Sequence, residues 1–140
     1  MSKPIIESVR EFIMKFPKLK DGALLVDFLE NSPIAYTVEP VPCSPVYKKY
    51  IDGSCIKQFL FLFASRESYS DDVNQCIENL AFYDDFEDWI YAQSYNENLP
   101  VLSGNRTAVG LEVLTRSYQL YADTNTARYQ IQLRLIYEEE

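Results

Sequence analysis

The chain contains no histidine. That absence removes the commonest general base, the catalytic triads built on imidazole and every histidine-containing metal site. Glycine is nearly as scarce: four residues, at positions 22, 53, 104 and 110, leave no Walker loop and no dinucleotide-binding fingerprint. Cysteine is limited to Cys43, Cys55 and Cys76, an odd number without CxxC spacing, which reads as isolated thiols rather than a disulfide framework or a zinc site. Positive charge is also short. Thirteen Lys and Arg against 21 Asp and Glu give a net charge of −8, a balance ill suited to an electrostatic grip on nucleic acid or an anionic membrane. No apolar run approaches the roughly 20 residues of a membrane span. Met1 to Pro4 leads into an amphipathic pattern without the apolar stretch of a signal peptide, so the chain is expected to be cytosolic where it is made. Carboxylate chemistry of the glycosidase kind needs two acids facing across a cleft, and nothing here singles out such a pair. The expectation is a protein that is not an enzyme and carries no cofactor or metal.

What the chain has in quantity is aromatic. It holds 11 Tyr, 8 Phe and one Trp in 140 residues, with 47% apolar content overall. A chain of this size buries a single core without a disulfide or metal staple, and residues 1–140 read as one domain. Aromatics beyond the needs of a small core are what protein interfaces use as anchors. An aromatic-rich core accounts for the same composition, and both readings stay open at the level of sequence.

The stretch Tyr47 to Tyr69 organises the rest. Tyr47-Lys48-Lys49-Tyr50-Ile51 alternates bulky with charged residues, Asp52-Gly53 readily takes up positive φ at a tight turn, and Ile56 to Ala64 resumes as strand. Phe59-Leu60-Phe61-Leu62-Phe63 puts apolar side chains on both faces, as in a central strand covered on both sides. Ser65-Arg66-Glu67 is expected to leave the sheet, and Ser70-Asp71-Asp72 to cap a following helix. Upstream, Pro4 opens a helix with Ile5, Val9, Phe12, Ile13 and Phe16 at helical spacing, stopped by Pro17; a stripe of that width reads as the cover of a sheet. Residues 23–29 are compatible with strand or helix turn. Ala35 to Glu39 reads as a strand ending at Pro40, and the proline-rich Pro40 to Pro45 as an edge or loop.

Downstream, Val73, Ile77, Leu80, Tyr83, Phe86 and Ile90 trace a long helical stripe from Asp71 to about Asn96, widened by Ala81, Phe82 and Trp89. Asp84, Asp85, Glu87 and Asp88 crowd five positions of it but spread over both sides of the helix, and no Gly supplies a calcium-type turn. They read as a solvated or partner-facing acidic patch. Asn98-Leu99-Pro100 breaks the helix and Ser103-Gly104-Asn105 forms a turn. The last third reads as a second hairpin: Thr107 to Tyr121, a polar turn over 122–126, and a strand from Ala127 to Leu135 with strict period two. Its inward face is Tyr129, Ile131, Leu133 and Leu135. Its other face is Arg128, Gln130, Gln132 and Arg134, turned to water or to a neighbouring subunit. The two guanidinium groups suit carboxylates, and Asp84, Asp85 and Asp88 of a neighbour make these seven residues the candidate subunit interface. The fold class is α/β (α+β): an antiparallel or mixed sheet with two main flanking helices.

The run Tyr47-Lys48-Lys49-Tyr50-Ile51-Asp52-Gly53-Ser54, with Lys57-Gln58-Phe59, Ser65 to Tyr69, the helix from Phe82-Tyr83 to Trp89-Ile90, and the ending Tyr129 to Tyr137, resembles minor capsid proteins of the tail-terminator family. These occur in long-tailed phages and prophages of Gram-positive bacteria. The resemblance runs from residue 5 to 137 in the same order, over sheet and turn sequences that carry no chemistry of their own. It implies an α/β domain with an antiparallel sheet and flanking helices. It also implies a homo-oligomeric, hexameric ring that caps the tail tube protein and offers a docking surface to the head connector or neck protein. The location implied is the virion's head–tail junction, after assembly in the bacterial host cytoplasm, with DNA passing through unbound and no membrane involved. Two alternatives remain beside it: another neck or connector protein of the same particle, and a free small-molecule-binding or enzymatic α/β domain.

Overall fold

The computed structural model describes residues 4–17, 19, 24–26, 35–53, 55–68, 73–122 and 126–139. The elements follow in the order α1 (Ile5–Ile13), β1 (Leu24–Val26), β2 (Ala35–Val41), β3 (Val46–Lys49), β4 (Cys55–Ser68), α2 (Val73–Tyr95), β5 (Arg106–Val113), β6 (Tyr118–Ala122) and β7 (Thr126–Glu139). Strands β2 to β7 are joined by antiparallel pairings and β1 adds in parallel to β2, so the fold is mixed α+β with one sheet. At its centre β4 pairs with β7 from Ile56–Glu138 to Ser68–Thr126. The outer side of β4 carries β2 and β3 end to end, and the outer side of β7 carries β5 and β6 in the same manner.

Side chains alternate across a strand, so this register sorts residues onto two faces. Tyr36, Val38, Phe61, Phe63, Ile131 and Leu133 share one face and are fully buried. Both helices cover that face, α1 through Val9, Phe12 and Ile13, α2 through Phe82, Tyr83, Phe86 and Ile90. The rings interlock: Phe63 stacks on Phe86 with centroids 4.6 Å apart, and Phe16 meets Phe86 and Trp89 at 5.3 Å each. Such pairs add about 0.5–1.5 kcal/mol to the roughly 1.5–3 kcal/mol of burying each side chain.

A polar clip then fixes α2 over the central strands. The Tyr83 hydroxyl donates to the Tyr129 carbonyl at 3.0 Å and accepts from Ser65 Oγ at 2.6 Å, all buried. This contact corrects the reading of Ser65-Arg66-Glu67 as the end of the strand. Strand β4 runs on to Ser68, with Ser65 opposite Tyr129 in the ladder and both Ser65 and Arg66 buried. Ser65 there serves a hydrogen bond to the helix above. The expected helix cap at Ser70-Asp71-Asp72 lies outside the described residues.

Other boundaries also move. Residues 24–26 are strand, which settles the choice left open for 23–29 over the part described. Strand β2 continues through Pro40 to Val41; β1 pairs only with Tyr36 to Val38, so a residue without an N–H is tolerated beyond it. The hairpin between β3 and β4 forms as expected, with Gly53 at φ +94 and its N–H donating to the Tyr50 carbonyl at 3.1 Å. Pairing ends at Lys49–Cys55, so the connection is longer than a two-residue turn. Thr107 to Tyr121 is two strands: after Val113 the chain stays alongside β7, where the Leu114 N–H donates to the Gln132 carbonyl at 2.8 Å, before β6 begins on the same side. On α2, Ile77 and Leu80 are exposed, and the buried stripe is Asn79, Phe82, Tyr83, Phe86 and Ile90.

Helix α2 ends in a Schellman arrangement, with the Asn98 N–H bonded to the Gln93 carbonyl and the Glu97 N–H to the Ser94 carbonyl. The left-handed position is filled by Glu97, at φ 60, where glycine is the usual occupant. The Cβ costs about 1 kcal/mol there. Glu97→Gly is therefore expected to stabilise the fold by about 0.5–1 kcal/mol in urea unfolding. A lowered midpoint would show that the Glu97 side chain contributes more than its backbone strain removes.

Candidate interaction surfaces

The sheet face away from the helices is the one that carries Arg128, Gln130, Gln132 and Arg134. The structure brings these four together as predicted, but not in the surroundings predicted. Gln130 is buried and the other three are half-buried, because their own chain covers them. Arg128 pairs with Glu39 at 3.2 Å, side chains 13% and 21% exposed, and its Nε donates to Gln130 Oε1 at 3.1 Å. Gln130 and Gln132 both donate to the Tyr118 hydroxyl. Arg134 pairs with Glu112 at 3.1 Å and its guanidinium lies over the Tyr47 ring, 5.2 Å from the centroid. The expectation that this row turns to water or a neighbour is thus narrowed: Gln130 is buried, and both arginines already have a carboxylate within the chain. Glu112 stands opposite Arg134 in the ladder, whereas Glu39, opposite Leu62, only shares the face with Arg128, whose long side chain reaches across β4 to it. The same register corrects the expectation of a strand covered equally on both sides, since Leu60 and Leu62 share this polar face and are only half-buried.

The predicted partners Asp84, Asp85 and Asp88 lie elsewhere. Helix α2 packs on the opposite side of the sheet, so the structure does not join them to the arginines within one chain. Asp84 and Asp88 are exposed and Asp85 is half-buried. Helical spacing sets Asp84 and Asp88 on one stripe with Ile77, Leu80, Tyr91 and Tyr95. These four apolar residues are 57%, 44%, 52% and 89% exposed. The outer face of α2 is therefore apolar at both ends and acidic in the middle, about 27 Å long at 1.5 Å per residue. The sequence pattern puts Ile77 and Leu80 on one apolar stripe with Tyr83, Phe86 and Ile90, but only the last three are buried. The signal against that grouping was available, because the stripe Ile77 and Leu80 share with Tyr91 and Tyr95 contains two aspartates.

A second exposed surface went unnoticed in the sequence. Strand β3 and its turn, Val46 to Ile51, are exposed throughout, and Ile51 at the tip is fully so. Lys48 and Lys49 give this hairpin two positive charges. At its base Lys57 of β4 pairs with Glu139 of β7, which holds the Glu139 carboxyl below its usual range and the Lys57 amine above its own. A cleft of about 670 Å³ beside β5 is lined by Leu99, Val101 and Val109 with one carboxylate, Glu97, and one guanidinium, Arg106.

Comparison with family models and with curated proteins gives no match. Among the described residues no cluster of metal-ligating side chains occurs, and no helix is long and apolar enough to cross a membrane. Cys43 and Cys55 are free thiols.

The pairing of Arg128 with Glu39 has a measurable consequence. Arg128→Glu sets two carboxylates together in a half-buried site, and should lower stability by about 2 kcal/mol or more, against about 0.5 kcal/mol for an ordinary surface change. Adding Glu39→Arg should recover much of that loss in urea unfolding. A single variant with an unchanged midpoint would return this row to the solvent.

Proposed function

We propose that this protein is a structural component of a phage particle, a tail terminator whose copies form a ring, hexameric as the resemblance implies, that caps the tail tube and offers the head–tail joining surface. The observation that carries the reading is the outer face of α2. A free monomer has no use for Ile77, Leu80, Tyr91 and Tyr95 in water, and two exposed apolar pairs flanking exposed acids on one helix stripe suit an association surface. The aromatic surplus noted in the sequence divides accordingly: Phe63, Phe82, Tyr83 and Phe86 fill the core, while Tyr47, Tyr50, Tyr91 and Tyr95 stand outside it.

Two further features support the proposal. The α+β architecture, one largely antiparallel sheet with helices against it, agrees with the fold the resemblance implies. The net charge of −8 favours free passage of DNA, since like charges repel. The tail tube and the connector are the partners this role requires. Closure into a ring follows from a heterologous contact whose rotation closes; one that does not close gives filaments.

Light scattering at high protein concentration, with and without tail tubes, checks the assembly. The expected species is a single closed oligomer of six 16.3 kDa chains, favoured by tubes. A monomer under every condition, tubes included, would overturn the proposal, and an oligomer that binds connectors but leaves tubes bare would favour a neck protein instead.

A further inference from the structure

The geometry points to a specific contact between copies: the β3–β4 hairpin of one chain, Val46 to Gly53, docks along the outer face of α2 in the next. The inference rests on the self-assembly proposed above and identifies its two halves.

Charge complementarity selects the occupant. All five side chains of α2 that are charged at neutral pH are acidic, and its sequence contains no Lys or Arg. Asp84 and Asp88 sit mid-stripe, exposed, with no salt bridge to either among the described residues. A basic partner with apolar flanks fits such a surface. Arg128 and Arg134 do not qualify, because Glu39 and Glu112 already neutralise them within the chain. The hairpin does: from Val46 to Ile51 it has two lysines and no acid, and Val46, Tyr50 and Ile51 are 41%, 42% and 107% exposed. The acid nearest them, Asp52, lies in the turn beyond.

Lysines on a short edge strand also blunt unwanted strand pairing, which accounts for Lys48 and Lys49 but not for a fully exposed isoleucine at the tip. The six residues Val46 to Ile51 span about 20 Å when extended, a length that the helical stripe accommodates. The hairpin projects beside the Cys55 end of β4, whereas α2 is clipped near its other end through Tyr83 and Ser65. Hairpin and helix face are different surfaces, the one at an edge strand of the sheet and the other on the outer side of a helix that covers its face. Their union is head-to-tail, and each added copy presents the same two surfaces again.

Two charge-reversed proteins and one photo-cross-linker test this. Lys48→Glu with Lys49→Glu makes a hairpin that the acidic helix repels; Asp84→Lys with Asp88→Lys makes a helix that the basic hairpin repels. Each protein alone should associate at least tenfold more weakly than wild type. An equimolar mixture should recover assembly in alternating order, because each reversed surface then finds its complement. Wild-type association by either variant alone, or no recovery in the mixture, overturns the inference. In otherwise wild-type protein, a benzophenone amino acid in place of Ile51 should cross-link to residues 73–95 of another copy, which decides the matter even if a charge variant folds poorly. No cross-linked dimer, or cross-links elsewhere, also overturns it. Closed rings lacking the hairpin–helix cross-link refute this contact and leave the ring proposal standing; cross-linked open chains that never close on tubes refute the ring and leave the contact standing.

Discussion

The pairing of β4 with β7 is the constraint on which the other features depend. Two 14-residue strands in antiparallel register carry Phe61, Phe63, Ile131 and Leu133 on one face and Leu62, Arg128, Gln132 and Arg134 on the other. A slip of one residue in either strand would turn that strand's members of both sets to the wrong side. Phenyl rings would meet the carboxylates of Glu39 and Glu112, and guanidinium groups would lie beneath α1 and α2. The register is held from both sides at once. Above the sheet, the Tyr83 hydroxyl bridges Ser65 and the Tyr129 backbone, one group from each strand. Below it, Arg128 of β7 reaches across β4 to Glu39 of β2.

Several elements were legible in the sequence because one strong local signal determined each. Strict period two placed Tyr129, Ile131, Leu133 and Leu135 in the core, and the mixed sheet with two helices followed from pattern and turn chemistry. Misreadings arose where tertiary context overrides a local pattern. Ser65 to Ser68 looks polar enough to end a strand; only the position of Tyr83, remote in sequence, makes a buried serine favourable. Thr107 to Tyr121 has β-formers throughout, and the break at 114–117 arises because β7 is long enough to accept two partners in succession.

The candidate surfaces show the same division between local and distant causes. The row from Arg128 to Arg134 was correctly placed on one strand face, but its counter-charges came from strands 89 and 22 residues distant in sequence. Sequence alone cannot distinguish an arginine that awaits a partner from one that has it. The outer face of α2 is the converse case. Its apolar residues resembled core until the opposite stripe proved to be the buried one. What remains outside, an acidic helix face and a basic hairpin, is a polarity that the monomer does not resolve within itself.

A subunit with two unlike, complementary surfaces suits repeated head-to-tail assembly, and in the proposed role the end of a tail tube would be the template for closing it. Electron microscopy of tail tubes mixed with purified protein tests that claim most directly. The account predicts a ring of added density at one end of each tube, resolved end-on as repeated copies of this chain. Bare tube ends at saturating protein, or density scattered along tube walls, would contradict it.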